Sequence, residues 1–332
     1  MLIVAPFDPG KIDMPFVFYR RLLLACFLLW LGDGVAAAQS AQTTGVLRIG
    51  FQRSSTLAAI LKAGGGLERA LAPLGVTVTW HEFTSGLPQL EALNTGNIDF
   101  SADVADTVPI FALAAGAKLS YVAMEAASPQ AQAILVPAES SIRTLADLKG
   151  RKVAVTRGAG SHYLLIAALN SVNLSLKDIT PAYLTPADGR AALVGNSVDA
   201  WVTWDPFLTV ARRQAGAKIL AEGTGLASYN RYYLASEGYA RARSDVLKVV
   251  YDTLDKAGQW VKAHPDEAAA LLAGIWHIDA ALVQEANSHR SYRVGPVTDA
   301  GLTEQKKIAD AFFAEGLLPR RVEATEAAVW RP

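Results

Sequence analysis

Cysteine is nearly absent: Cys26 is the only one in 332 residues. It lies in an amino-terminal stretch that reads as an export signal, so the chain left after cleavage has none, which excludes a disulfide framework, a thiolate nucleophile and a cysteine metal site. An excess of charge is missing too, since 31 Lys and Arg balance 31 Asp and Glu. That argues against a nucleic-acid binder or a polybasic membrane module and leaves only a local positive pocket open. The histidines His81, His162, His264, His277 and His289 show neither i, i+4 pairing nor an HExxH pattern, so no metal site is expected. Ser161 and His162 stand side by side without a G-x-S-x-G elbow, and neighbouring side chains diverge on a helix, so no nucleophilic pair and no cofactor are expected. The apolar run LLLACFLLWL at 22–31 is too short to span a membrane comfortably.

That run follows Arg20 and Arg21, and Ala36-Ala37-Ala38 offers an A-x-A cleavage site before Gln39. Residues 1–38 therefore read as a signal peptide for a periplasm-like compartment, with 1–13 an upstream extension and Met14 a start. Leu23-Leu24-Ala25-Cys26 has the look of a lipoprotein box. The plainer reading makes Cys26 one more apolar residue of the signal core, because the hydrophobic run continues past it.

What the chain does contain is a repeated junction, in which a short apolar strand ends in a turn of small or polar residues and a helix begins. The stretch Lys152 to Asn170 is its fullest form: a strand over 153–156, Gly158 and Gly160 in the turn, Ser161 as N-cap, and a helix whose Leu164, Leu165, Ala168 and Leu169 share a face. Free N–H groups and a positive dipole end at such a start suit an anion. LRIGF at 47–51 leads in the same way into Gln52, Arg53, Ser54, Ser55 and Thr56. IDFSAD at 98–103 leads through Asp106 into TVPIFALAAG, and DAWVTW at 199–204 leads into Asp205 as cap with Pro206 in the first helical position. Four such junctions predict one cleft at the carboxyl ends of the strands. Of the two tryptophans of the last strand, Trp201 and Trp204, the period of a strand makes one a core residue and the other a cleft wall. Trp80, Trp260 and Trp276 read as packing, and Arg290 to Arg293 as either a cleft edge or a solvated loop.

The spacing further predicts a strand over 76–83, helices over 87–93, 244–263, 265–276, 279–287 and 299–315, and a helix broken at Gly64-Gly65-Gly66. Gly96-Asn97-Ile98-Asp99-Phe100 is echoed by Gly195-Asn196-Ser197-Val198-Asp199-Ala200-Trp201, as two similar halves would require. The apolar strands 132–137 and 232–235 bracket about a hundred residues with their own βα alternation. They read as two crossovers between lobes, and two crossovers imply a hinge. The expectation is thus an α/β protein of two lobes, each a mostly parallel sheet flanked by helices, with 45–131 and 232–332 in one lobe and 132–231 in the other.

The segments LRIGFQRSST, NTGNIDF with PIFALAAGA, LADLKGRKVAVTRGAGSHYLL, YLTPADGRAAL, DAWVTWDPF and ADAFFAEGLLP resemble the periplasmic substrate-binding proteins of ABC importers for aliphatic sulfonates, taurine and nitrate. The resemblance implies a type II binding-protein fold, a monomer, a small anionic or zwitterionic ligand such as an alkanesulfonate or taurine, and an inner-membrane ABC permease as partner. Carried over position by position, it places the pocket on Gln52, Ser55 and Thr56, on Gly158, Ser161 and His162, and on Trp204 with Asp205. Ser54, Thr107 and Asn230 are counted with them. Asp103 and Asp106 depart from the family's neutral loop and join the candidate set. Two carboxylates oppose a sulfonate unless they point away, pair with a basic side chain or meet a cationic part of the ligand. Backbone donors and the hydroxyls of Ser54, Ser55, Thr56, Thr107 and Ser161 are expected to hold the anion, with Arg53 and Arg157 either competing for that role or neutralising the acids. The alternatives are a binding protein for nitrate or another small ligand, and a pyrimidine-forming enzyme on the same architecture. Such an enzyme needs reactive groups and no export, so the signal favours binding.

Overall fold

The computed structural model describes residues 45–332, and the signal peptide, its cleavage site and Cys26 lie outside the described residues. The chain opens with strand β1 (Gly45–Gln52), helices α1 (Thr56–Gly64) and α2 (Gly66–Leu71), β2 (Val76–Phe83), α3 (Gly86–Asn94), β3 (Phe100–Ala105), α4 (Thr107–Ala114) and β4 (Leu119–Glu125). Gly65 takes the left-handed conformation that ends α1 and starts α2, so the triple glycine breaks the helix as expected. The chain then builds β5 (Gln132–Val136), β6 (Lys152–Val155), α5 (Gly160–Asn170), β7 (Thr180–Tyr183), α6 (Pro186–Val194), β8 (Ala200–Trp204), α7 (Phe207–Ala215) and β9 (Lys218–Glu222). It ends with β10 (Arg231–Ser236), α8 (Glu237–Ala242), α9 (Ser244–Ala263), α10 (Pro265–Trp276), α11 (Ala280–Ser288), β11 (Val294–Gly295), α12 (Asp299–Ala314) and β12 (Ala328–Val329).

These strands form two sheets. The first has the order β11-β4-β10-β3-β1-β2, with β12 also on β4, and the second the order β7-β6-β8-β5-β9. Strands joined through helices pair parallel, as βαβ units must, whereas β10 runs antiparallel to β3 and β4, and β5 to β8 and β9. Both sheets are therefore mixed rather than mostly parallel, because the strands that carry the chain from one sheet to the other return against their neighbours. Leu47, Ile49 and Phe51 of β1, with Phe100 of β3, bury one face of the first sheet under Leu57, Leu61, Val250 and Leu254 of α1 and α9. Each such side chain contributes about 1.5–3 kcal/mol. A single apolar cluster contains residues of both sheets, among them Val104 and Tyr121 of the first and Ile134 and Val153 of the second, together with Leu164 of α5 and Phe312 of α12.

The sequence echo has a structural counterpart. Asp99 donates its N–H to the Arg48 carbonyl at 2.8 Å and accepts the Arg48 N–H on Oδ2 at 2.9 Å. Asp199 repeats this on Lys152, with both bonds at 2.8 Å. Three residues before each aspartate the chain turns through a left-handed residue, Gly96 at φ 75° and Asn196 at φ 52°. Each carboxylate thus pins the strand that leads to the cleft, β3 or β8, to its parallel neighbour, β1 or β6.

Candidate functional site

The carboxyl ends of the strands from both sheets meet at a narrow cavity of about 20 Å³, room for one or two water-sized groups. Gln52 at the end of β1 and Ala105 at the end of β3 form its wall on the first-sheet side, with Ser85 and Gly86 where α3 starts. On the other side stand Gly158, Ala159 and Gly160 where α5 starts, Arg157 beside them, and Trp204 at the end of β8. Neither α3 nor α5 is capped by a side chain, so two helix amino termini bring positive dipole ends to the cavity. Leu87, Val108, Tyr229 and Arg231 complete the lining.

Of the residues expected to touch a ligand, the cavity wall includes Gln52, Gly158 and Trp204. Ser54 and Asn230 line other cavities, and the rest are turned into the protein. Ser55 Oγ accepts the Gln52 N–H at 3.2 Å, and Thr56 Oγ1 accepts from the Tyr292 hydroxyl at 3.0 Å. Thr107 donates its hydroxyl to the Gly158 carbonyl at 2.6 Å, a tie across the cleft, and Trp204 Nε1 reaches Ser54 Oγ at 3.5 Å. Ser161 is not the N-cap: Ala159 takes the extended cap conformation, and Ser161, one residue inside the helix, is fully buried with its hydroxyl unpartnered among the described residues. Asp205 accepts both the N–H and the hydroxyl of Thr209 and meets His289 Nδ1 at 2.6 Å, while α7 begins at Phe207 after Pro206 rather than on it. Asn230 lies behind the cavity: its N–H donates to Asp106 Oδ2 at 3.0 Å and its carbonyl accepts the Asp106 N–H at 3.1 Å. Trp201 is the core member of its pair and Trp204 the wall.

Of the two acids, Asp103 is answered by cations from within the protein. Arg231 donates Nε to Asp103 Oδ2 at 2.5 Å and Nη1 to the Tyr229 hydroxyl at 2.8 Å. Arg290 reaches the same Asp103 oxygen at 3.1 Å and Glu125 Oε2 at 2.6 Å, and the Tyr233 hydroxyl donates to Glu125 Oε1 at 2.6 Å. Two carboxylates face two guanidiniums, all buried, so this group is neutral as a whole and does not repel an anion. Arg53 and Arg157, the basic residues first considered for this role, are exposed, and neither pairs with Asp103 or Asp106. Arg290 belongs to the buried group, not to a solvated loop. Tyr229 is held at φ 54°, a left-handed conformation that costs a non-glycine residue about 1–3 kcal/mol and places its ring against Gly160. Sequence reasoning missed Tyr229, Arg231, Ser85 and Gly86. The available signal was the unpaired Asp103 in an otherwise apolar strand, which demanded a buried cation.

Two buried titratable groups behind the wall have opposed effects on stability. Burial pushes Asp106 up to about 7, with Glu304 adding to the rise and the Asn230 N–H opposing it. Burial, helped by the charge of Arg157, pushes His162 down to about 4, and its Nδ1 accepts the Gly158 N–H at 3.2 Å as a neutral ring does. The Asp106 contribution is present in acid and lost as pH rises towards 7, because the folded state holds a proton that the unfolded state has released. The His162 contribution is present above the ordinary histidine range and lost as pH falls towards 4. Relative to the parent protein, Asp106→Asn should therefore gain stability as pH rises from 4 to 7, by up to about 4 kcal/mol, and His162→Gln should lose it over a similar span, by up to about 3 kcal/mol. Urea unfolding at half-unit pH steps measures both; flat differences would contradict the assignment.

Two sheets of βα units joined by two crossings, with a cleft at their strand ends, define the class as the periplasmic binding-protein fold. The NMT1/THI5-like family model matches residues 73–268, and the chain belongs to that family. It is 38% identical over 313 residues to an aliphatic sulfonates-binding protein of Escherichia coli K12, covering 94% of this chain and 96% of the relative. Among solved structures it is similar to the alkanesulfonate-binding protein SsuA of Xanthomonas axonopodis pv. citri bound to MOPS, with TM-score 0.82, 38% identity and coverage of 86% and 98%. The periplasmic aliphatic sulphonate binding protein SsuA of Escherichia coli gives TM-score 0.79 at 38% identity, with coverage of 86% and 97%. No helix among the described residues is long and apolar enough to cross a membrane.

Proposed function

We propose that this chain captures a small organosulfonate between its two sheets in the periplasm and delivers it to an ABC permease, without chemistry of its own. The observation that carries this reading is the cavity itself: two uncapped helix starts and Arg157 face it, while the Asp103 carboxylate behind it is already paired with two arginines. Relatives named as sulfonate-binding proteins over almost the whole chain support the same ligand class. In this reading residues 132–231 move as one lobe against the rest, and export removes residues 1–38. Thermal shift with ethanesulfonate, taurine, nitrate and a neutral sulfone tests it. A ligand at a hundred times its Kd adds about 2.7 kcal/mol. Stabilisation by the sulfonates alone is expected, and stabilisation by nitrate alone would overturn the ligand class.

A further inference from the structure

A second chamber adjoins the first. It measures about 200 Å³ against about 20 Å³ for the inner cavity, and it is also lined from both sides of the cleft. The turn after β1 and the turn after β8 serve both chambers: Gln52 and Trp204 face the inner one, and Arg53, Ser54 and Pro206 the outer one. The partition between them is the contact of Trp204 Nε1 with Ser54 Oγ, which at 3.5 Å stands at the limit of a hydrogen bond and yields readily.

The outer chamber differs in chemistry from the inner one. Its walls are apolar and aromatic, with Phe207, Val210 and Ile278 beside Trp276, and Phe207 meets the Trp204 ring edge to face at 5.9 Å. Two guanidiniums stand in the same lining, and no carboxylate does. Arg53 donates to the Trp276 carbonyl at 3.2 Å and Arg190 to Gln214 Oε1 at 2.9 Å. Both acceptors are neutral, so, unlike Arg231 and Arg290, these two cations keep their charge uncompensated by an ion pair among the described residues. An apolar slot with two free positive charges is matched by a flat hydrocarbon body bearing an anion at its far end.

Resting on the organosulfonate reading, we propose that the preferred ligand class is a cyclic or aryl sulfonate carrying a second anionic group, a disulfonate or a sulfo-carboxylate. The sulfonate occupies the inner cavity, the ring lies between Phe207 and Trp276 past the Trp204 partition, and the second anion meets Arg53 and Arg190. A two-carbon sulfonate leaves the outer chamber unused.

Calorimetric titration of the full mature chain with ethanesulfonate, benzenesulfonate and 1,4-benzenedisulfonate decides this. Benzenesulfonate is expected to bind about tenfold more tightly than ethanesulfonate, and the disulfonate about tenfold more tightly again, with the second step shrinking as salt screens the arginines. In the Arg53→Gln/Arg190→Gln double variant the ratio of disulfonate to benzenesulfonate affinity should fall to near one, and Phe207→Ala should lower the ratio of benzenesulfonate to ethanesulfonate. Equal affinities for all three sulfonates overturn this inference and leave the organosulfonate reading standing. Binding of none of them overturns both.

Discussion

Arg231→Met is expected to weaken ethanesulfonate binding a hundredfold or more and to destabilise the protein by about 3–5 kcal/mol, the largest effect of any single change at the cleft. The guanidinium is buried, lines the cavity and makes three contacts: Asp103 Oδ2 at 2.5 Å, the Asp103 carbonyl at 3.2 Å and the Tyr229 hydroxyl at 2.8 Å. Its removal does more than delete a donor. Asp103 and Glu125 are left to share Arg290, so a neutral group becomes a buried net negative charge beneath an anion site. The double variant Arg231→Met/Asp103→Asn removes that excess and should recover most of the stability but only part of the affinity. Urea unfolding and calorimetry separate the two. A single variant that binds ethanesulfonate normally would show that Arg231 only packs.

Gly160→Ala should cost tenfold to a hundredfold in affinity while changing unfolding free energy by about 1–3 kcal/mol. The φ of Gly160 lies outside the left-handed region, so backbone conformation does not require glycine there. Space does: an added Cβ would lie 2.5 Å from Tyr229 Cε2 and 3.1 Å from the Ala105 Cβ on the facing wall. The Tyr229 ring is buried and its backbone already strained, so it does not turn aside freely, and the methyl group presses on the facing wall at Ala105. Small-angle scattering should then show no contraction of the variant with ethanesulfonate where the parent contracts. Normal affinity with normal contraction would mean that the two walls are not in contact when ligand is bound.

The helices were legible wherever a local stop coincided with the end of an apolar period. Pro265 after His264 and the acidic pair Asp266 and Glu267 mark the break between α9 and α10, and both helices have the expected bounds. The strand β4 left no such mark. It pairs with three strands, β10, β11 and β12, but LSYVAME shows neither alternation nor a β-branched run, because both of its faces are covered and its partners come from the far carboxyl end. The junctions around the cleft were readable because small residues at helix starts are a local signal. The charge pairing was not, since Asp103 meets partners 128 and 187 residues away, and no local pattern records so distant a contact. For the same reason the hydroxyls of Ser55, Thr56 and Ser161, correctly placed near helix starts, could not be seen to turn inward until Tyr292, Gln52 and the core were in position.

The central claim is that the anion sits between the starts of α3 and α5 in front of Arg231. A crystal structure of the mature chain with ethanesulfonate tests it most directly. The account predicts sulfonate oxygens within hydrogen-bonding distance of backbone N–H groups at Gly86 or Gly160 and of Arg231 or the Tyr229 hydroxyl, with Asp103 still held by both arginines. A sulfonate seated anywhere else, or one that draws Asp103 away from Arg231, would contradict it.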